Sequence, residues 1–154
     1  GYIQLNKNER ALSYLKQMFK YLEHSGRLMH LKYPELAFIA ISRVEAAAAK
    51  GIVMQLEIHT LMENSLLEVD ELIPLWTGAW DAALALTCSG SKLKVSLNYR
   101  DNYYYLRFVT NPFPQNAPEL TDIANMARRA GMIFNYKADS GEISLCFAGS
   151  SSDS

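Results

Sequence analysis

KLKVSLNYRDNYYYLRF, residues Lys92 to Phe108, reads as a β-hairpin. Leu93, Val95, Leu97 and Tyr99 alternate with Lys92, Lys94, Ser96 and Asn98, which gives a strand with one apolar and one polar face. Arg100-Asp101-Asn102 turns the chain, and Tyr104, Leu106 and Phe108 alternate back. Immediately upstream the period changes. Leu72, Ile73, Leu75, Trp76, Ala79, Trp80, Ala83 and Leu84 make the segment from Leu72 to Leu86 apolar nearly all round, the mark of a central buried helix. Pro74 is predicted in its first turn or at a kink, because an interior proline loses a hydrogen bond. An acidic connector, Glu63 to Glu71, precedes that helix.

Further upstream, Met54, Leu56 and Ile58 alternate with Gln55, Glu57 and His59, a strand with one wet face. Before it lies a helix that opens at Pro34, carries Leu36, Ile39, Ala40, Val44, Ala47 and Ala48, and ends at Lys50-Gly51. The first helix shows Ala11, Leu12, Leu15, Met18, Phe19 and Leu22 at three-and-four spacing, and Ser25-Gly26 is predicted to stop it. Its wide stripe, flanked by Tyr14 and Tyr21, suits packing on its own domain or on a second copy. Gly1 to Leu5 is a short apolar piece ahead of a polar turn, Asn6-Lys7-Asn8.

Downstream of the hairpin, Asn111-Pro112 ends the strand, and Pro114 and Pro118 keep the loop irregular. Leu120, Ile123, Ala124, Met126 and Ala127 make a short amphipathic helix ending in Arg128, Arg129 and Gly131. A second hairpin pairs Ile133–Lys137 with Ile143–Phe147 around Ala138-Asp139-Ser140-Gly141. Helices inserted between strands and paired hairpins predict an α/β sandwich, a mixed and mostly antiparallel sheet with helices on one face. The expected core is Leu36, Val44, Leu56, Leu72, Trp80, Val95, Leu106, Phe108, Ile133 and Leu145.

Composition narrows the function classes. The 154 residues are 49% hydrophobic and 20% charged, a globular balance with room for one domain. A formal net charge of −1 argues against a strongly basic nucleic-acid binder. Two cysteines, Cys88 and Cys146, make no disulfide framework and point to a reducing compartment. No apolar run reaches the roughly 20 residues of a membrane helix. Gly149 to Ser154 is expected to be a loose tail. No Ser/His/Asp constellation, zinc spacing or Walker loop appears.

The order of elements, with particular residues, resembles the GHKL superfamily ATP-binding (Bergerat) domain of sensor histidine kinases, of the peptide quorum-sensing (accessory-gene-regulator) and sporulation-phosphotransferase type. Gly1-Tyr2-Ile3-Gln4-Leu5 is similar to the end of that family's phosphoacceptor helix, which would put the phosphoacceptor histidine upstream of residue 1. Tyr33-Pro34-Glu35-Leu36, Ala46 to Lys50 and Gly51-Ile52 match a further family stretch. Gly78-Ala79-Trp80-Asp81-Ala82-Ala83 stands where the family has its N-box, and Asn111-Pro112 where the family hairpin ends in an Asn-Pro or Asn-Ser step. The resemblance implies a dimerisation segment over 1–27, an ATPase-like domain over 28–148 and a tail over 149–154. It implies a cytoplasmic module of two-component signalling, or the soluble part of a membrane-anchored receptor. It would dimerise with a second copy through the N-terminal helix and meet a response regulator, with no nucleic-acid partner and no direct membrane contact.

The departures concern ATP and Mg²⁺. The second N-box asparagine of the family holds the magnesium; Ala82 stands there and has no side-chain oxygen. The first is Gly78. The family's glycine-rich lid grips phosphate through backbone N–H groups, whereas residues 111–121 contain Pro112, Pro114 and Pro118 and no glycine. No ATP or metal site is therefore expected, no catalytic residue is assigned, and whether the chain is an enzyme stays open between a kinase domain with an unusual site and a non-catalytic dimerisation, docking or phosphotransferase scaffold.

Several residues carry two readings. Asp81 is a retained N-box acid or a solvated acid on an apolar helix. Asn111 contacts an adenine or ribose, or simply ends a strand. Trp76 and Trp80, one turn apart, are core packing or a base-stacking platform. His24 is a phosphoacceptor or an ordinary helix residue, though it lacks the usual His-Asp or His-Glu context. His59 reads as exposed, and Arg128-Arg129 as a helix cap.

Overall fold

The two strands of the opening hairpin, β2 (Lys92–Arg100) and β3 (Tyr103–Val109), pair antiparallel across Asp101 and Asn102, with Val95 opposite Phe108 and Leu97 opposite Leu106. Both turn residues have positive φ, 53° and 67°, the left-handed pair of a two-residue hairpin turn, which aspartate and asparagine tolerate best among non-glycine residues. The computed structural model of the chain describes residues 2–110 and 118–150, and side chains there except at 2–6, 14, 17–22, 118 and 119.

Around this hairpin stand α1 (Tyr2–Met29), α2 (Pro34–Ala49), β1 (Val53–Ile58), α3 (Val69–Leu86), α4 (Pro118–Arg129), β4 (Ile133–Lys137) and β5 (Glu142–Ala148). The strands form one sheet in the order β1-β2-β3-β5-β4. Only β1 and β2 run parallel among the described pairs, because α3 lies between them as the crossover a parallel pair needs. One face of the sheet, with Leu56, Ile58, Leu93, Val95, Leu97, Leu106, Phe108, Ile143 and Leu145, is buried in the core. Trp80 of α3 meets Phe108 of β3 edge to face, ring centroids 5.1 Å apart. The opposite face carries Gln55, Glu57, Lys94, Arg107 and Asn135 and no helix among the described residues. This is the mixed α/β sandwich that the alternation predicts.

Four local expectations change. First, α1 begins ahead of the polar Asn6-Lys7-Asn8 step and runs through Ser25-Gly26 to Met29, so residue 28 lies inside a helix. An interior glycine costs about 1 kcal/mol against alanine. Burying a leucine gains about 1.5–3 kcal/mol, and Leu28, two residues after the glycine, is fully buried. Second, α3 starts at Val69, within the predicted acidic connector. The Glu68 side chain takes a backbone N–H at the third helical position while Glu71 takes that of Glu68, a capping box made of two glutamates. Pro74 sits in the second turn of this helix.

Third, Ile133 is 54% exposed and Val44 only half-buried. Ile133 pairs with Cys146, on the outer face, whereas Phe134 pairs with the core residue Leu145. Strand β4 therefore alternates on the opposite parity to the one predicted. Fourth, Gly149 and Ser150 are held rather than loose. The Gly149 N–H donates to Asn102 O (2.8 Å), the Ser150 N–H to Asn64 O (2.7 Å), and the Tyr99 hydroxyl to Ser150 O (2.6 Å). Residues 151–154 lie outside the described residues.

Candidate functional site

The residues that the resemblance singles out sit on α3. Its surroundings follow from its composition: Leu72, Leu75, Trp76, Ala79, Trp80, Ala82, Ala83 and Leu84 are all buried. Trp76 donates its indole N–H to the Leu36 carbonyl at 3.0 Å, which ties α3 to the start of α2. Trp80 is fully buried against Phe108, and its indole N–H has no partner among the described residues. Both tryptophans are core residues, and neither ring is open for a base to stack on.

Asp81 points away from this core. Arg43 of α2 grips it with two bonds, Nε to Oδ1 at 2.7 Å and Nη2 to Oδ2 at 3.3 Å. Arg43 also donates to Ser42 Oγ at 2.8 Å. The hydrogen bond to Asp81 pushes the guanidinium pKa above its usual value, with partial burial working against it. Asp81 thus serves as one half of an α2–α3 clasp. Sequence reasoning misses Arg43. Its signal is there, since it is the one basic residue between Pro34 and Ala49.

Gly78 faces α4. A Cβ built at this position would lie 3.0 Å from Ile123 Cδ1 and 3.4 Å from Cγ1. Leu120, Ile123 and Ala127 of α4 are buried, so the two helices meet at the position that the N-box pattern gives to a polar side chain. Ala82, on the turn after Gly78, is buried and offers only a methyl group. An Mg²⁺ ion needs oxygen ligands, and neither position supplies one. At residues 78 and 82 no side-chain oxygen stands ready for an Mg²⁺ ion. Asn111, Pro112 and Pro114 lie outside the described residues, as does the course of residues 111–117. Among the described residues no group of three or more His, Cys, Asp and Glu is placed to hold a metal ion.

Of the remaining sequence candidates, His24 and His59 come together, while Arg128 and Arg129 lie on α4. His24 lies on α1, where its Nδ1 accepts the Ile58 backbone N–H at 3.0 Å. His59 is exposed at the end of β1, its ring 5.6 Å from that of His24. Arg128 and Arg129 are exposed in the last turn of α4, and Arg128 donates to Asn125 Oδ1 at 2.9 Å. On the open sheet face, long side chains around Ser96 leave a hollow of about 290 Å³, with Glu57, His59, Lys94, Asn98 and Arg107 on its rim. Lys94 pairs with Glu57 at 3.4 Å and Arg107 pairs with Glu142, which leaves the hollow near neutrality.

Neither a protein-family model nor a curated protein matches the chain. Solved structures do. The catalytic domain of the histidine kinase ThkA, in a nucleotide-free form, superposes with a TM-score of 0.58 at 10% identity, over 75% of this chain and 91% of that one. The cytoplasmic segment of the histidine kinase QseC gives 0.54 at 18% identity, over 75% and 74%. The Acinetobacter baumannii histidine kinase AdeS gives 0.54 at 13% identity, over 97% and 83%. The fold of this chain is that of histidine kinase catalytic domains.

Proposed function

We propose that this chain is the ATPase-fold module of a sensor-histidine-kinase-type protein in two-component signalling, retained without a working ATP·Mg²⁺ site. The contact of Ile123 with Gly78 carries this reading, together with the methyl group of Ala82 one turn on. Phosphate charges are not buried unpaired, and these positions offer neither a metal oxygen nor space for a polar side chain. The accessory-gene-regulator and sporulation-type character rests on Gly1 to Leu5 and on Tyr33 to Leu36. The module then works by assembly. Leu12 is 59% exposed and Leu15 46% exposed on α1, an apolar pair suited to a helix of a second copy, and a response regulator is the second partner. The matching part of QseC is a cytoplasmic segment, and we assign the same compartment here. Among the described residues no helix is long and apolar enough to cross a membrane.

A ligand at about 100 times its Kd stabilises by about 2.7 kcal/mol, worth roughly 5–10 °C in a domain of this size. Millimolar ATP with Mg²⁺ is expected to leave the melting temperature unmoved. The working-kinase reading is restored by a rise of several degrees that Asp81→Ala abolishes.

A further inference from the structure

The outer face of the sheet is bare of helices among the described residues, and its charge differs from that of the whole chain. The five strands turn Lys92, Lys94, Arg100, Arg107 and Lys137 outward, against Glu57 and Glu142. The chain as a whole has a formal net charge of −1. Two of these cations are answered within the face, Lys94 by Glu57 at 3.4 Å and Arg107 by Glu142. Lys92, Arg100 and Lys137 are exposed and form no ion pair among the described residues. Asp101 and Asp139 lie in the turns at the two opposite ends of the face, outside the strands that carry these cations.

Ser96 lies between the two ion pairs, opposite Glu57 on one side and Arg107 on the other. It is the short side chain of that row, which is why the hollow of about 290 Å³ opens above it. Ser96 is only 8% exposed, and its hydroxyl has no hydrogen-bond partner among the described residues. Hydrogen-bond donors are in excess around it. An arginine carries five N–H groups and a lysine three, and the glutamates take up only part of them. Beyond the hollow the face turns aromatic and apolar. Arg100 lies over the Tyr105 ring, 5.3 Å from its centre, Tyr103 is 42% exposed and Ile133 54%. Tyrosine and arginine are the residue types enriched in protein–protein contacts.

We propose that this bare face docks an acidic segment of another protein, one of whose carboxylates sits over Ser96 beside Arg107 and Lys94. The charge excess of the strands and the unpartnered Ser96 hydroxyl both call for acceptors from outside. A second copy of this chain is a poor occupant, because it would set the same cations against one another. A nucleic acid would bring closely spaced phosphates up to Glu57 and Glu142, whereas a protein segment can place hydroxyls and amides there. The face measures about 19 Å across its five strands and about 23 Å along β3, less than the roughly 800 Å² per partner of a standard interface. The contact is therefore weak and reversible, and charge sets its rate and its partner. It depends on the outer face alone and is independent of nucleotide binding.

A short peptide alternating glutamate with glutamine, titrated into the unmodified chain at low ionic strength, tests this through the backbone amide NMR shifts. Saturable shifts are expected at Ser96, Arg107 and Ser144 and not at Leu28 or Ala83 in the helical layer. They should fade as salt shortens the screening length to about 8 Å and below. Lys92→Glu combined with Lys137→Glu is expected to weaken binding about tenfold or more. Lys7→Glu combined with Lys16→Glu, on the exposed part of α1, changes the net charge equally and is expected to leave binding as it was. All four positions are exposed, so neither variant disturbs the core. Equal weakening by the two double variants overturns the proposal, as do shifts spread over the whole surface or no saturable shift at all. An oligothymidylate of the same length that binds this face more tightly than the peptide also overturns it, and would assign the face to nucleic acid.

Discussion

Ile123 of α4 stands over Gly78 of α3, close enough that a Cβ at residue 78 would lie 3.0 Å from its Cδ1. This places a packed helix–helix contact at the position where the N-box pattern calls for asparagine. Gly78→Asn is therefore expected to destabilise the fold by about 1–3 kcal/mol through overpacking. The loss should shrink in an Ile123→Ala background, since neighbouring sites couple. Urea unfolding of the two single variants and the double variant checks this. Equal losses in both backgrounds would show that the contact is not what excludes the side chain.

The Arg43–Asp81 clasp is expected to contribute little to stability. Its side chains are 26% and 54% exposed, and such pairs contribute about 0.2–1 kcal/mol. Arg43→Ala and Asp81→Ala should each cost about that much, and less at high salt. A double-mutant cycle by denaturation reads the coupling. A coupling above about 2 kcal/mol would assign the pair a larger role than its solvent exposure allows.

Gly149 is held against two rigid rings. A Cβ there would lie 2.7 Å from Tyr104 Cε2 and 2.8 Å from Tyr99 Cε2. Gly149→Ala is expected to cost about 1–3 kcal/mol and to loosen the pairing of Ser65 with Gly149. Thermal unfolding measures the first effect and amide exchange at Leu66 and Ser150 the second. An unchanged melting temperature would mean that the chain end is not seated on the tyrosines.

The two thiols should differ in reactivity. Cys88 is exposed and Cys146 buried. Burial pushes the Cys146 thiol pKa up, with a hydrogen bond to Tyr105 opposing it, and thiolate is the reactive form. Iodoacetamide at pH 8 is expected to label Cys88 at least about tenfold faster. Comparable rates by mass spectrometry would place Cys146 nearer the surface.

The hairpins, the sheet class and the buried α3 are legible in the sequence because the period of two and the all-round apolar helix are local patterns. Ile133 is not, because a five-residue edge strand with Ile133, Phe134 and Tyr136 on both faces leaves its parity to the partner strand, and Cys146 and Leu145 settle it only once paired. Ser25-Gly26 looks like a helix stop because the gain from burying Leu28 is tertiary and invisible in the chain. At the candidate site, the missing oxygen at Ala82 is readable from one letter. The Arg43–Asp81 clasp and the Ile123–Gly78 contact each join residues more than thirty positions apart, and no local pattern announces them.

The most direct measurement is a calorimetric titration of the chain with ATP, in the presence and absence of Mg²⁺. With neither a metal oxygen at Ala82 nor room above Gly78, no saturable heat is expected up to millimolar ATP in either condition, a limit corresponding to binding weaker than about −4 kcal/mol. A saturable isotherm that needs Mg²⁺ would contradict the account and return the chain to the working kinases.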